Sequence, residues 1–149
     1  MFLALGILCA IMGIFFLFGC FTRVDSPAFL ARAAGDEAAI AKLHSLQDAW
    51  DRLGKVRQFF ASASGFLIMA AGSLLLWRDP ALAEYSWAVP VLYAANLIVL
   101  LQVRRHARSV LDPQSTGHAQ VLGVIKQNIR MCITFSVIFV LLAMTVAKP

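Results

Sequence analysis

The stretch MFLALGILCAIMGIFFLFGCF, residues 1–21, holds no Asp, Glu, Lys or Arg and closes on Leu17-Phe18-Gly19-Cys20 before Phe21. Two readings compete for it: a leader cut ahead of a lipoprotein cysteine, or a helix that stays in the membrane. A leader needs a positively charged start, and the first basic residue of this chain is Arg23. Phe18 also stands where a cleavage box carries a smaller residue. The stretch therefore predicts an uncleaved transmembrane helix, and the rest of the chain follows the same pattern.

Three further windows lack charge: 59–77, 85–103 and 131–147. Each is close to the roughly 17–25 residues that a helix needs to cross a hydrocarbon core of about 30 Å. None shows the alternation of a barrel strand, and in lipid only helices and closed barrels satisfy their backbone. With 60% hydrophobic and 14% charged residues and a mean hydropathy of +0.78, the 149 residues do not describe a water-soluble globule. The expected fold is an all-α, antiparallel four-transmembrane-helix bundle in one domain, with an amphipathic helix between the first and second spans.

Charge orients it. Six basic residues fall in segment 22–58 (Arg23, Arg32, Lys42, Arg52, Lys55 and Arg57) and five in segment 104–130 (Arg104, Arg105, Arg108, Lys126 and Arg130). Only Arg78 and Lys148 fall on the other side. The positive-inside rule places both segments in the cytoplasm and both termini outside, in a bacterial inner membrane. The net charge of +5 is thereby explained without a nucleic-acid partner.

Between the first two spans, Ser26-Pro27 reads as one helix start and Gly35-Asp36 as a break followed by a second cap. Ala39, Leu43, Leu46, Trp50 and Leu53 then recur at helical spacing. That stripe suits a helix lying on the membrane or packed on the bundle, and Leu43, Leu46, Trp50 and Leu53 are the candidate partner-docking surface. Gly54 is the single weak point before the second span, so one long rod is expected there. The third helix should continue through QVRRHARSVL to Asp112-Pro113, with Ser115 or Thr116 capping the fourth.

Few residues propose chemistry. Cys9, Met12 and Met69 should lie near mid-membrane, and Cys20, Met131 and Cys132 near the cytoplasmic surface. Thiolate and thioether are soft ligands for Cu(I), so two sulfur layers are the candidate metal site, set against ordinary core packing by Met and Cys. His44, His106 and His118 all fall outside the apolar windows, which disfavours a membrane haem. No acidic residue lies within a span, which counts against a proton-coupled pump. Arg57, Arg104, Arg105 and Arg130 should meet at the inner headgroup level as a site for anionic lipid or an anionic ligand. Ser62, Ser64 and Gly65 within ASASG form a small-residue packing face, and Asn96 is the one amide deep in a span.

Length, helix number and the long first loop resemble the microsomal glutathione-transferase family. Its Arg, Asn and Glu along helix two are absent from FASASGFLIMAAGSLLLW, however. VRQFFASASGFLIMAAGSLLL, the exit VRRHARSVLDP and the closing AKP resemble copper-resistance protein D type domains and related four-helix membrane proteins. That resemblance implies the four-helix fold and a role in moving or tolerating copper. The chain departs from that family in lacking its His and Trp-Gly-Gly in helix one, its Lys in helix three and its Glu in helix four. Two function classes follow. One is a non-catalytic accessory or assembly subunit of a membrane complex, or a self-associating bundle, partnered by membrane lipids, other subunits or its own copies. The other is a small transport or copper-handling protein using the sulfur layers or a basic inner vestibule. No set of residues proposes a catalytic reaction.

Overall fold

A computed structural model describes residues 2–79, 81, 85 and 87–146. Most of the turn expected over 78–86 lies outside the described residues, as do the ends of the first and last expected spans, Met1 and 147. The described residues form seven helices: α1 (Phe2–Gly19), α2 (Pro27–Arg32), α3 (Glu37–Leu53), α4 (Lys55–Ser62), α5 (Ser64–Arg78), α6 (Ala88–Val110) and α7 (Thr116–Val146). Three of them, α1, α6 and α7, are long and apolar enough to cross a membrane. A fourth span exists if α4 and α5, bent by 56° at Ala63, are counted together.

The helix ends follow local chemistry. Asp36 caps α3 by accepting from the Ala39 amide at 2.9 Å, and Ser115 caps α7 by accepting from the His118 amide at 3.0 Å. Leu111 leaves α6 in an extended conformation ahead of Pro113. Gly54 takes a φ of 84°, which favours glycine, and ends α3. The rod expected to run from α3 into the second span is thus broken twice, at Gly54 and again at Ala63.

The second break has a cause within ASASG. Ser62 Oγ donates back to Gln58 O at 2.7 Å and Ser64 Oγ to Phe60 O at 3.0 Å. Such bonds to the carbonyl one turn earlier bend helices, and Ser/Gly pairs are common kink sites.

Register follows from close approaches. A Cβ added at Gly6 would meet Leu74, and one at Gly13 would meet Leu67, so α1 and α5 run in opposite senses. The seam on α1 is Gly6, Cys9, Gly13, Phe16 and Cys20, spaced alternately by three and four residues, as in left-handed packing near +20°. Phe16 stacks on Phe66 with centroids 5.4 Å apart. On the other side of the broken helix, Ala61, Gly65 and Gly72 meet Asn128, Cys132 and Phe139 of α7. Both sets of numbers rise in step, so α7 runs alongside α4 and α5 in the same sense, straight through the bend.

Two apolar cores result. One joins Cys9, Met69, Leu76, Val89, Tyr93, Leu100 and Phe139. The other joins Trp50 and Leu53 to Val103, Ala107, Leu111, Val121 and Ile125. At 1.5 Å per residue α7 is roughly 46 Å long, well beyond the ~30 Å of a hydrocarbon core. Its first turns and the end of α6 therefore project as a head, and α3 packs on them.

Candidate functional site

Several polar residues of the apolar helices gather at the break. Ser64 Oγ shares its one proton between the Phe60 carbonyl and Asn96 Oδ1 of α6, the latter at 2.9 Å, and Asn96 Nδ2 donates to Cys132 Sγ of α7 at 3.2 Å. Tyr93 OH donates to the Gly65 carbonyl at 2.7 Å, and Asn128 Nδ2 donates to the Ala61 carbonyl. Cys20 Sγ, at the end of α1, lies 3.3 Å from both Ser62 Oγ and the Phe16 carbonyl. Apart from the half-buried Phe16, the residues that supply these groups are buried. In lipid a broken helix is tolerated where neighbouring side chains re-satisfy its backbone, and here the carbonyls of Phe60, Ala61 and Gly65 receive Ser64, Asn128 and Tyr93. Two amide oxygens buried beside the break, Gln58 Oε1 and Asn128 Oδ1, have no donor among the described residues.

The four residues expected to pack helices, Ser62, Ser64, Gly65 and Asn96, are thus all in this cluster. Tyr93, Gln58 and Asn128 were not singled out from the sequence. Asn128 falls just ahead of the fourth charge-free window, and Tyr93 reads as one more apolar residue.

Cys9, Met69 and Cys132 are buried in one core, while Met12 and Met131 are half-buried outside it. Cys20 and Cys132 take the hydrogen-bond roles of thiols in helix packing, one with Ser62 and the other with Asn96. Among the described residues no three of His, Cys, Asp and Glu are placed to hold an ion.

The docking stripe is turned inward. Trp50 and Leu53 are buried against α6 and α7, and Leu46 packs at their edge, with Leu43 half-buried. Trp50 and Leu53 are covered by the chain's own helices, whereas Leu43 and Leu46 stay half-exposed. The start of α7 is close enough that the Gly117 amide donates to Ser45 Oγ at 3.0 Å. A second polar tie joins the head to the exit of α1. Arg23 binds both carboxylate oxygens of Asp25 at 2.9 and 3.1 Å, His44 Nδ1 lies 3.4 Å from Asp25, and Gln47 Oε1 accepts from the Val24 amide at 2.9 Å. The Arg23 hydrogen bond, with its charge and His44 adding to it, holds the Asp25 carboxyl below the usual carboxylate range.

The arginines show no shared ion pair among the described residues. Arg57 reaches back toward Leu53 O (3.4 Å), Arg104 is half-buried, and Arg105 and Arg130 are exposed.

Between α5 and α6 lies an open groove of about 620 Å³. Ser64, Ile68, Ala71 and Leu75 form one wall and Ala88, Leu92, Ala95 and Val99 the other, each at helical spacing. Its only amide, Asn96, is already bonded to Ser64. At the far end Trp77, Tyr85 and Trp87 are 55, 61 and 63% exposed. Such a ring of aromatic residues suits a membrane–water interface. It flanks the turn on both sides, a signal present in the sequence but not used there.

The chain matches no family model, no curated protein and no solved structure.

Proposed function

We propose that this protein is a non-catalytic integral membrane protein of four spans that acts by association, as an accessory or assembly subunit of a larger membrane complex or as a self-associating bundle. The observation that carries this reading is how the buried polar groups are used. Ser64, Asn96, Cys132, Tyr93 and Asn128 bind one another or the backbone, stitching helices together. The outward faces meanwhile present Ile11, Phe15, Phe18, Ile98, Val137 and Leu141. A fixed scaffold with an apolar exterior offers helix faces to other membrane helices.

The continuous register of α7 along α4 and α5 supports counting the broken pair as one span, which gives four spans with neighbours in chain order running in opposite senses. The basic segments 22–58 and 104–130 then share the cytoplasmic side of a bacterial inner membrane, with both termini outside. Native mass spectrometry of protein extracted gently from its own membranes tests the reading. Retained heterologous subunits or a homo-oligomer are expected, and a monomer under all mild conditions refutes it. Reporter fusions after residues 50, 110 and 149 test the topology: the first two should report cytoplasm and the third the outside.

A further inference from the structure

We propose that the groove between α5 and α6 holds one acyl chain of an anionic phospholipid whose phosphate is received by Arg57 and Arg104. This rests on placement in a membrane and not on association with other subunits.

Shape selects the chain. The groove runs from Phe60 past the bend to Leu75 as an elongated, open, apolar trough of about 620 Å³. A single hydrocarbon chain fits along the whole length. The walls are apolar, and the floor polar pair, Ser64 and Asn96, is spent on itself at 2.9 Å. Apart from the Tyr85 hydroxyl at the far end, no free polar side chain lines the groove among the described residues.

Charge selects the headgroup and the end at which it sits. Arg57 precedes Phe59 and Phe60 on α4, and Arg104 lies little more than one turn beyond Val99 on α6. Between residues 54 and 110 the only acidic residues are Asp79 and Glu84, both in the segment joining the opposite ends of α5 and α6. Guanidinium forks match phosphate oxygens, and Arg57 bends back along α4 toward Leu53, away from the apolar wall and toward headgroup level.

The test is native mass spectrometry of the full chain in mild detergent, with phosphatidylglycerol or phosphatidylcholine carrying the same acyl chains. One phosphatidylglycerol should be retained, with occupancy at least tenfold above phosphatidylcholine. Ala71→Leu with Ala95→Leu, both at exposed positions, should lose the retained lipid of either headgroup with the melting temperature unchanged. Ala95→Val alone is the milder version and should lower retention in the same direction. Arg57→Gln with Arg104→Gln should keep a lipid but bring the headgroup ratio close to one. Three results overturn the proposal: several lipids retained without headgroup preference, retention indifferent to the groove-filling variants, or inorganic phosphate binding as tightly as the whole lipid. A homodimer dispersed by the groove-filling pair would make a second copy the occupant and also overturn it. Loss of lipid selectivity in a protein that still carries other subunits would leave the association reading standing.

Discussion

Gly117 and Gly123 sit in the same helix, yet alanine should act on them with opposite sign. At Gly123 an added Cβ meets nothing within 4 Å, and the residue is exposed. The substitution there should stabilise by about 0.8–1.0 kcal/mol, the helix-propensity difference. Gly117 is buried in the first turn of α7, where a Cβ would collide with the Ser45 carbonyl of α3. That obstacle is backbone and cannot rotate aside as a side chain would. Overpacking costs about 1–3 kcal/mol. Pushing the helices apart also loses the Gly117 amide bond to Ser45 Oγ, worth about 1 kcal/mol. Gly117→Ala should therefore destabilise by about 1–3 kcal/mol, and two identical substitutions six residues apart should differ by roughly 2–4 kcal/mol.

The assay is denaturant unfolding in mixed micelles, followed by tryptophan fluorescence, since Trp50 lies in the core that joins α3 to α6 and α7. Adding Ser45→Ala should not rescue Gly117→Ala, because the carbonyl remains. If both alanines stabilise alike, α3 is not packed on the start of α7 and the head described above is wrong.

Three further outcomes are expected. A double-mutant cycle of Ser64→Ala and Asn96→Leu should give a coupling of about 0.6 kcal/mol, the average for interhelical bonds in membranes; zero coupling would mean that the 2.9 Å bond contributes nothing. Gly13→Ile should destabilise by about 1–3 kcal/mol, since its Cβ would lie 2.6 Å from Leu67 Cδ2, whereas Gly19→Ala, with nothing within 4 Å, should be near neutral; the same unfolding assay reads both. The Asp25 carboxyl is held low by Arg23, so its contribution is fully present above the unfolded value of about 3.9 and is lost as pH falls through the lower folded value. Stability followed from pH 6 to pH 3 should thus fall chiefly below about pH 4, and Asp25→Asn should flatten that fall.

The sequence shows depth well and azimuth poorly. Charge-free windows mark where a helix can sit in lipid, and they located α1, α5, α6 and the second half of α7. The caps at Asp36 and Ser115 and the stop at Asp112-Pro113 were equally legible, because each acts within four residues. Which way a side chain faces was not. Cys20 and Cys132 were both expected near one surface, but the sequence did not show that one turns to Ser62 and the other to Asn96. The stripe ending at Trp50 and Leu53 had the right period, but lipid and protein present the same apolar surface to it. Only the overhang of α6 and α7 decides between them. The break at Ala63 was hidden for a related reason: its local cause is in ASASG, while the groups that make it tolerable come from residues 93 and 128.

Those remote donors also bear on α1, which is seated on α5 and the end of α4 by the seam from Gly6 to Cys20. Asn128 supplies the Ala61 carbonyl just before the bend, and Cys20 meets Ser62 on the next residue. Leucine at Asn128 keeps the volume but removes the donor, leaving a buried carbonyl unsatisfied at a cost of about 1–3 kcal/mol. The backbone can escape that cost by straightening toward an unbroken helix, and straightening moves α5 relative to α4. Because α1 touches both pieces, it cannot follow both. Asn128→Leu should therefore loosen the junction of α1 with α4 and raise the maleimide labelling rate of Cys20 well above that of the parent protein, with Cys9, midway along α1 and far from the bend, changing less. Equal labelling of Cys20 in both proteins would mean that α7 does not hold the bend, and that the serines of ASASG suffice.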